Sequence, residues 1–441
     1  MSEQFDLTDY ADSDSEKDSE WVEKRLGEIF DSIYSGGTPK KGVDEYYDGN
    51  VPFVKIEDLN EQQGDGVTTA KNYITEQALE ETSTRAFEPG TLLMTIYGSL
   101  AETAIVQSRV ATNQGILGLW DADEENVLYV RYAIDNTQPK LASLSRQTTQ
   151  ANLGKGIVKK HKIPIPPLPE QRKIATVLYT VDRAIEKTGE IIQHLDKIKS
   201  GVVQKVFTKG TLDHETYKNT KYGEVPEGWE LARFEEVLTD TRYGTDTKSN
   251  TKSNGYPTLR IPNVVNKRIA VDDLKHTPLD EDELERLELE DGDILIIRTN
   301  GNPDYVGRCA TFHERDEPFV FASYLIRVRV DESRVRPAYV REFLNSRRGR
   351  SEMAGWIRSS AGNYNLSVGA MEKFQISIPS LEEQDEIVEK ISEVEKTIET
   401  NRDCQNRLQR LKRGLMQGLL SGTVRTTDTN IEVPDEIAQY G

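Results

Sequence analysis

The sequence has few of the residues that build catalytic or metal centres. Its two cysteines and five histidines are scattered over 441 residues without the ligand spacing of a zinc site. No GxxxxGK[ST] segment is present to bind nucleotide phosphates, which excludes a P-loop ATPase motor. No stretch approaches the roughly 18 apolar residues of a membrane span, and no signal peptide precedes the acidic start. We therefore expect a soluble, cytoplasmic protein with no catalytic residue, metal or cofactor of its own.

Positive charge is also scarce. Lys and Arg number 56 against 75 Asp and Glu, a net charge of −19, which is unusual for a generic DNA binder and compatible with a halophilic host. The distribution is uneven, because residues 136–169 hold no acid and residues 334–358 hold seven arginines against Glu342 and Glu352. These two basic stretches lie at equivalent places in the two halves, which favours a DNA-facing strip over a solvated face.

The chain contains an internal repeat. Residues 165–204 return as residues 378–417, at a constant displacement of 213 residues, with 13 identities and no gap. Each copy opens with an extended, Pro-containing lead-in and continues as a long amphipathic helix. Two copies of a half-protein indicate internal pseudo-two-fold architecture, which suits a ligand that itself has two halves.

The apolar positions of both helices follow the 4-3 alternation of a coiled-coil seam. The seam is interrupted by polar residues at Thr188, Asn401 and Gln405, and each helix of roughly 40 residues would span about 60 Å. Packing of each helix on a globular domain is the alternative to pairing of the two helices. The apolar seam residues are Ile174, Leu178, Val181, Ile185, Ile192 and Leu195 in the first copy and Ile387, Ile391, Val394, Ile398 and Leu408 in the second.

A globular segment precedes each helix, and the two segments begin alike, at Trp21 and Trp229. β-branched, turn-bounded runs such as VPFVKI and YPTLRI, and then GTLLMTIYG and GDILIIRTNG, predict strands in both segments. The fold class is therefore mixed α/β, in the order domain, helix, domain, helix.

This pattern resembles the specificity subunit of type I restriction–modification systems. The phrase PLPEQRKIA (167–175) and its helix carry the resemblance, together with the two Trp starts and the GDIL-like strand; the second copy, SLEEQDEIV, lacks the proline after Leu381. The resemblance covers residues from about 21 to 423. It implies two target recognition domains, each reading half of an asymmetric bipartite DNA site, and two long helices that pair antiparallel and set the spacer.

The resemblance also implies the partners. Double-stranded DNA, two methyltransferase subunits docked along the helices and restriction/translocase subunits are expected, with S-adenosylmethionine, ATP and magnesium held by those subunits. The complex would be an adenine methyltransferase and ATP-dependent endonuclease. The recognition subunit itself would not be catalytic.

Polar loops that follow strands are where base contacts usually lie, since Asn and Gln can pair with adenine and Arg and Lys with guanine. Each of these residues could instead simply satisfy a turn. The candidates are Thr38, Lys40, Lys41, Tyr97, Ser99, Asn113, Gln114, Gln147 and Asn152 in the first domain and Tyr243, Lys248, Arg298, Asn300, Asn302, Tyr305, Ser359, Asn363 and Asn365 in the second. The predicted phosphate contacts, which position without specifying, are Lys155, Lys159, Lys160, Arg347, Arg348 and Arg350.

The predicted segments follow from these patterns. They are an acidic disordered start (1–20), recognition domain 1 (21–163), the first lead-in and helix (164–209), a linker (210–228), recognition domain 2 (229–376), the second helix segment (377–422) and a loose tail (423–441). Within these segments the helices themselves are predicted from 168 to about 208 and from 381 to about 420. The sequence leaves two rivals: a coiled-coil scaffold without specific DNA recognition, and an enzyme with its own methylation or cleavage activity. Asn302-Pro303-Asp304-Tyr305 is only faintly similar to a methyltransferase motif, and we interpret it as a turn.

Overall fold

A computed structural model describes residues 21–62, 66–122, 124–145, 152–220, 223–251, 254–265, 267–360 and 362–441 of the chain. The predicted acidic start lies outside these residues. The chain divides into two compact units: unit 1 comprises the residues up to Glu190 together with Arg402–Gly441, and unit 2 comprises Ile191–Asn401. Each unit thus contains one recognition segment and parts of both long helices.

Unit 1 contains two four-stranded sheets and a separate two-stranded ladder. One sheet is antiparallel, and in the other the strands Tyr47–Val54 and Val110–Thr112 pair parallel. In order across the sheets, the strands are Ser32–Ser35, Ile116–Trp120, Leu92–Thr95 and Thr103–Ile105, then Tyr73–Ile74, Tyr47–Val54, Val110–Thr112 and Ala86–Phe87, with Val22–Arg25 and Lys162–Ile165 in the ladder.

Unit 2 repeats this topology. The counterpart of the antiparallel sheet has four strands, and in the counterpart of the second sheet Tyr256–Leu259 again pairs parallel with a later strand, Val320–Phe321. The strands are Leu238–Tyr243, Leu325–Val330, Ile294–Ile297 and Cys309–Thr311, then Lys275–Thr277, Tyr256–Leu259 and Val320–Phe321, with Glu230–Arg233 and Gln375–Ile378 in the ladder.

Unit 2 adds three small sheets to this shared plan. They are the hairpins Tyr217–Thr220 with Gly223–Pro226 and Val264–Val265 with Arg268–Ile269, and the three strands Thr299–Asn300, Asn363–Asn365 and Arg358–Ser360. The first hairpin lies within the segment 210–228 that the sequence predicts as a linker.

Within the described residues, two helices have 42 and 39 residues and the others have 17 or fewer. The first long helix is Leu168–Lys209 and the second long helix is Leu381–Leu419, against predicted spans of 168 to about 208 and 381 to about 420. The other helices are Leu26–Ile29, Ile56–Glu61, Glu76–Glu81, Val127–Ser143, Lys155–Lys160, Glu281–Leu287, Pro337–Asn345, Arg347–Ala354, Val368–Met371 and Asp435–Ala438, with 3₁₀ turns at Asp44–Tyr46, Phe234–Val237 and Ile261–Asn263.

Side-chain caps begin several of the short helices. Thr75 and Asp280 accept a hydrogen bond from the backbone N–H three residues ahead, at equivalent helices of units 1 and 2. Asn126, Ser346 and Ser367 do the same at three further helices. Such a cap satisfies one of the backbone donors that a helix start leaves open.

The two long helices pack on each other within each unit, as the seam predicts. In unit 1 Lys412 Nζ lies 2.6 Å from Asp182 Oδ1, and Gln405 Nε2 donates to the carbonyl of Ile185 at 3.3 Å. The sequence numbers run in opposite directions across these two contacts, so the helices are antiparallel. In unit 2 Lys199 Nζ lies 2.7 Å from Glu395 Oε1.

Each copy of the repeat contains a Glu-Gln pair, and its glutamine links the start of the long helix to the rest of its unit by hydrogen bonds. Gln171 donates to the carbonyl of Pro166 at 2.9 Å and accepts from the backbone N–H of Asn126 at 2.9 Å. Gln384 donates to the carbonyl of Pro379 at 3.0 Å and accepts from the N–H of Arg336 at 2.8 Å. The repeat therefore preserves a hydrogen-bonded joint as well as a helix.

The glutamates of the same pair bind the chain that follows the other long helix. Glu170 accepts two hydrogen bonds from the Arg425 guanidinium, at 2.9 and 2.8 Å, and one from the indole of Trp21 at 3.3 Å. Glu383 contacts His214 Nε2 at 2.8 Å and accepts from the indole of Trp229 at 2.9 Å. Each glutamate thus joins a domain start, a helix start and a helix exit.

The segment 423–441 differs from the loose tail that the sequence predicts. Lys173 Nζ donates to the carbonyls of Thr427 and Thr429 at 3.0 and 2.8 Å, and the side chain of Ile437 is fully buried. The N–H of Val127 also donates to the carbonyl of Tyr440 at 2.7 Å. This segment has few apolar residues and is attached mainly through backbone groups, so its sequence shows no hydrophobic periodicity that would predict the packing.

The sequence also predicts that Cys309, in a probable strand, and Cys404, on the second long helix, are reduced packing residues. Cys309 is buried in its strand, but Cys404 is exposed, so this prediction is wrong for Cys404. Among the described residues, none of the helices is long and apolar enough to cross a membrane.

Candidate nucleic-acid interface

A tight turn opens the candidate interface in each unit. The N–H of Gly37 donates to the carbonyl of Thr112, and the N–H of Thr245 donates to that of Phe321, both at 2.9 Å. The preceding glycines, Gly36 and Gly244, lie so close to the neighbouring strand that an added Cβ would come within 2.1 Å of it. Glycine is needed at both positions because the backbone approaches the neighbouring strand so closely.

In unit 1 this turn meets three other polar loops. Thr38 donates to Gln114 Oε1 at 2.6 Å, and Asn113 Oδ1 accepts from the N–H of Gly115 at 2.9 Å. The amide of Asn152 donates to the hydroxyl of Tyr97 at 3.1 Å. These contacts bring together residues from four distant parts of the sequence.

The remaining predicted residues of unit 1 lie beside this group. Ser99 accepts a hydrogen bond from Asn60 at 3.2 Å, and Gly98 between Tyr97 and Ser99 has a φ of +69°, which favours glycine. Lys40 and Lys41 are exposed just beyond the turn. Gln147 lies outside the described residues.

Two residues of this surface, Tyr34 and Arg85, were not predicted from the sequence. The Arg85 guanidinium lies 4.5 Å from the centre of the Tyr34 ring, and Lys155 Nζ lies 5.0 Å from the same ring, which is 42% exposed. Cation–π contacts hold both positive charges at the surface. The only sequence signal was an aromatic residue two positions before the glycine turn.

In unit 2 the corresponding edge is built around Arg298. Its guanidinium lies 4.5 Å from the centre of the Tyr243 ring and donates to the carbonyl of Ser323 at 3.1 Å. The Tyr243 hydroxyl accepts from the N–H of Val368 at 2.9 Å. Tyr324, which the sequence did not single out, is 56% exposed beside them.

The other predicted residues of unit 2 lie on the added small sheet or on the turns around it. Asn300 pairs with Tyr364, and Ser359 pairs with the same residue from the other side. Asn363 and Asn365 belong to the same central strand. Lys248 is exposed, after the glycine turn.

The segment from Asn302 to Tyr305 is a turn, as predicted. Asn302 Oδ1 accepts from the N–H of Asp304 at 2.9 Å, and the carbonyl of Asn302 accepts from the N–H of Tyr305 at 3.2 Å. The ring of Tyr305 is 44% exposed and lies 4.5 Å from the Arg308 guanidinium.

The predicted phosphate contacts divide into two groups. Lys159, Lys160 and Arg347 are exposed. By contrast, Arg348 donates to the carbonyl of Phe207 at 3.3 Å, and Arg350 donates to the carbonyl of Asp304 at 3.1 Å. Burial and the nearby Arg308 lower the pKa of the Arg350 guanidinium. Arg348 and Arg350 therefore help to hold unit 2 together.

Most of the basic stretch 334–358 is likewise engaged within the unit. Arg334 pairs with Glu230 at 2.7 Å, Arg336 with Asp385 at 3.2 Å, and Arg341 with Glu342 at 2.9 Å. Arg334 and Arg336 are paired with carboxylates remote in sequence and Arg341 with the adjacent Glu342, so these three arginines do not support the expectation of a DNA-facing strip. The part of the chain that the structure describes also holds no cluster of His, Cys, Asp and Glu suited to a metal ion.

Comparison with known proteins agrees with the internal repeat. Residues 18–197 and 226–410 match the type I restriction modification DNA specificity domain. The chain is 26% identical over 417 residues to the specificity subunit of the type I restriction enzyme MjaVIII of Methanocaldococcus jannaschii, covering 93% of this chain and 94% of the relative. It is 28% identical over 304 residues to the EcoKI specificity subunit of Escherichia coli K12, covering 68% and 65%.

A solved structure shares the fold. The S subunit of a type I restriction–modification system from M. genitalium is similar with a TM-score of 0.57 at 15% identity, covering 92% of this chain and 98% of that one. The resemblance stated from the sequence is thereby confirmed, and the chain belongs to the type I restriction modification DNA specificity family, whose domain it carries twice.

Proposed function

We propose that this chain is the DNA-reading subunit of a type I restriction–modification complex, in which each unit reads one half of a bipartite site. The observation that carries the proposal is the doubled interface. The glycine turns at Gly36 and Gly244 are built alike, yet the side chains around them differ, with Thr38, Gln114 and Asn113 in unit 1 and Arg298 and Tyr243 in unit 2. Equivalent scaffolds with different polar groups suit two different half-sites, separated by an unread spacer.

The residues divide by role in this proposal. Amides and hydroxyls fixed by hydrogen bonds, such as Gln114 and Asn113, are suited to base edges, because a held donor or acceptor distinguishes one base pair from another. Exposed cations such as Lys159, Lys160 and Arg347 are suited to phosphates, which position the protein without specifying sequence. Lys155 and Arg85, held over Tyr34, are suited to a phosphate or to a guanine edge, since both acceptors pair with cations.

The same proposal assigns the chemistry to partners. Two methyltransferase subunits, docked along the long helices, would bind S-adenosylmethionine and modify adenine. Restriction/translocase subunits would use ATP and magnesium. The complex would act where the cell keeps its DNA, which we take to be the cytoplasm, and the net charge of −19 would suit a halophilic interior.

Methylation mapping tests the proposal directly. Genomic DNA is sequenced by a method that detects methylated adenine, in cells with this gene and its methyltransferase partner, in cells lacking only this gene, and in deleted cells complemented with it. We expect a bipartite motif that disappears on deletion and returns on complementation. A motif that persists without the gene would overturn the reading role and leave the coiled-coil scaffold as the better explanation.

A further inference from the structure

Arg298 is fixed at the candidate interface of unit 2 by both its backbone and its side chain. Its N–H donates to the carbonyl of Tyr324 at 3.0 Å, and its own carbonyl accepts from the N–H of Leu366 at 2.9 Å. The guanidinium is held by the carbonyl of Ser323 at 3.1 Å and by the ring of Tyr243 at 4.5 Å. Both the position and the plane of the guanidinium are therefore set before any ligand binds.

Most of the donors of this guanidinium are not used within the described chain. An arginine has five N–H donors, and the bond to Ser323 takes one of them. Nε is buried and has no hydrogen-bond partner among the described residues. Nor does any described carboxylate form a salt bridge with Arg298, whereas Arg327 and Arg329 on the neighbouring strand pair with Asp240 and Asp293 at 2.6 and 2.7 Å.

This contrast is informative because the chain has an excess of acids, 75 against 56 bases. A half-buried arginine in such a chain would ordinarily be paired, since leaving donors without acceptors costs free energy. The buried Nε is out of reach of an external ligand, so an acceptor from outside the chain would pair with the Nη donors. The best fit for a planar fork whose plane is fixed is a pair of acceptors lying side by side in that plane.

Guanine presents such a pair in the major groove, at N7 and O6. A phosphate would also accept from arginine, but it does not require a fixed plane. The equivalent position of unit 1 holds Ile96, because its carbonyl accepts from Leu153, the counterpart of Leu366, and Ile96 is 6% exposed. We infer that Arg298, stacked on Tyr243, reads a guanine in the half-site of unit 2, and that the half-site of unit 1 lacks this contact.

The inference rests on the proposed function and is tested with the whole complex. The chain carrying Arg298→Met, which keeps the aliphatic stem over Tyr243, is co-expressed with its methyltransferase partner, and methylated sites are mapped. We expect one guanine of one half-site to lose roughly tenfold or more of its preference over the other bases, while the other half-site stays unchanged. Arg315→Ala is the matched control, because Arg315 is an exposed arginine of unit 2 outside the interface and should leave the motif unaltered.

Four outcomes would overturn the inference. If Arg298→Met weakens methylation at every site but leaves the motif intact, the residue contacts phosphate. If both half-sites change, or if Arg298→Met and Arg298→Ala both abolish methylation, the residue is structural. If the unaltered half-site is the one that contains the only guanine, the base assignment is wrong. The absence of any bipartite motif with the wild-type chain would instead overturn the proposed function itself.

Discussion

At the scale of single residues, Glu383 makes the most testable contribution. Its side chain is 2% exposed and accepts from Trp229 and from the N–H of Thr211 at 2.9 Å, and it contacts His214 at 2.8 Å. We expect Glu383→Gln to lower the free energy of unfolding by roughly 1.5–3 kcal/mol, because an amide cannot accept all of these bonds and loses the charge that strengthens them. Urea denaturation followed by tryptophan fluorescence measures the change.

The adjacent residue supplies the control. Glu382 is exposed, so Glu382→Gln removes the same charge at nearly the same place without breaking the joint. Its unfolding midpoint should stay close to that of the wild-type chain. Equal losses in the two variants would show that Glu383 acts through general charge and not through its bonds.

The same carboxylates make stability depend on pH. Burial raises the pKa of Glu383, but the bonds from His214, Thr211 and Trp229 outweigh it, so the pKa of Glu383 lies below its ordinary value. Burial also raises the pKa of Glu170, but Arg425 helps to lower it by more, so the pKa of Glu170 lies below its ordinary value too. A lowered folded-state pKa gives stability that is present above the unfolded value of about 4.3 and lost as pH falls through the folded value. The difference between wild type and Glu383→Gln should therefore narrow between neutral pH and about pH 3.5, and a constant difference would contradict this.

At the scale of single residues, the sequence predicts which residues have equivalent roles but not which residues they bind. The repeat predicts that Glu170 and Glu383 have equal roles, because they are 213 residues apart within matching phrases. It cannot predict that Arg425 serves one and His214 the other, since these segments differ in sequence and meet the glutamates only through the fold. The same holds for Tyr34 and Arg85, whose contact depends on strand register.

At the scale of elements, the hairpin Val264–Val265 with Arg268–Ile269 is attached to unit 2 by a buried charge network. Lys267 pairs with Glu342, which is 1% exposed, and with Glu395 of the second long helix at 2.7 Å. Burial lowers the pKa of Lys267, but the two carboxylates outweigh it and raise the pKa overall. The hairpin, the helix Pro337–Asn345 and the second long helix thus share one set of charges.

Removing this lysine should be costly. We expect Lys267→Met to lower the free energy of unfolding of unit 2 by about 1.5–3 kcal/mol, because Glu342 and Glu395 lose the buried cation that they share and keep only Arg341 and Lys199 as partners. Differential scanning calorimetry of the full chain measures the shift of the affected transition. Double replacement of Lys267 with Met and Glu342 with Gln should recover part of the loss.

The neighbouring ion pair is a natural comparison. Arg268 binds Glu399 at 2.7 and 2.8 Å, but the two side chains are 72% and 51% exposed, so solvent screens the attraction. Arg268→Ala should change stability far less than Lys267→Met. Similar losses would indicate that hairpin folding, and not burial of charge, determines the effect.

Helices whose apolar residues recur with a regular period were predicted accurately, whereas segments held by backbone hydrogen bonds were not. The long helices begin and end within a residue or so of their predicted limits, because the seam and the proline-containing lead-ins mark them. The tail 423–441 and the hairpin from Tyr217 to Pro226 carry no such period. The division into units was also not foreseen, because each unit takes up parts of both long helices as its core forms around them.

At the scale of the whole molecule, the central question is how a chain of net charge −19 binds a polyanion. Part of the acidity is neutralised internally: Asp240, Asp293 and Glu342 pair with arginines or lysines of unit 2. The exposed lysines near the interface of unit 1 include Lys40 and Lys41, after the glycine turn, and Lys159 and Lys160, on one short helix. Affinity should therefore depend on few phosphate contacts and on the geometry of the base contacts.

This view predicts a particular salt dependence. For the complex bound to its own methylation site, the fall of log K with log salt should be shallow, and Lys159→Ala or Lys160→Ala should reduce its slope by about one each without altering the motif. Fluorescence anisotropy of labelled duplexes over a range of salt concentrations measures the slope, and methylation mapping tests the motif. Lys390→Ala, an exposed lysine of the second long helix, is the control and should leave the slope unchanged. If Lys390→Ala lowers the slope as much as the other two, net charge and not this helix governs DNA affinity, and the assignment of Lys159 and Lys160 to phosphate is wrong.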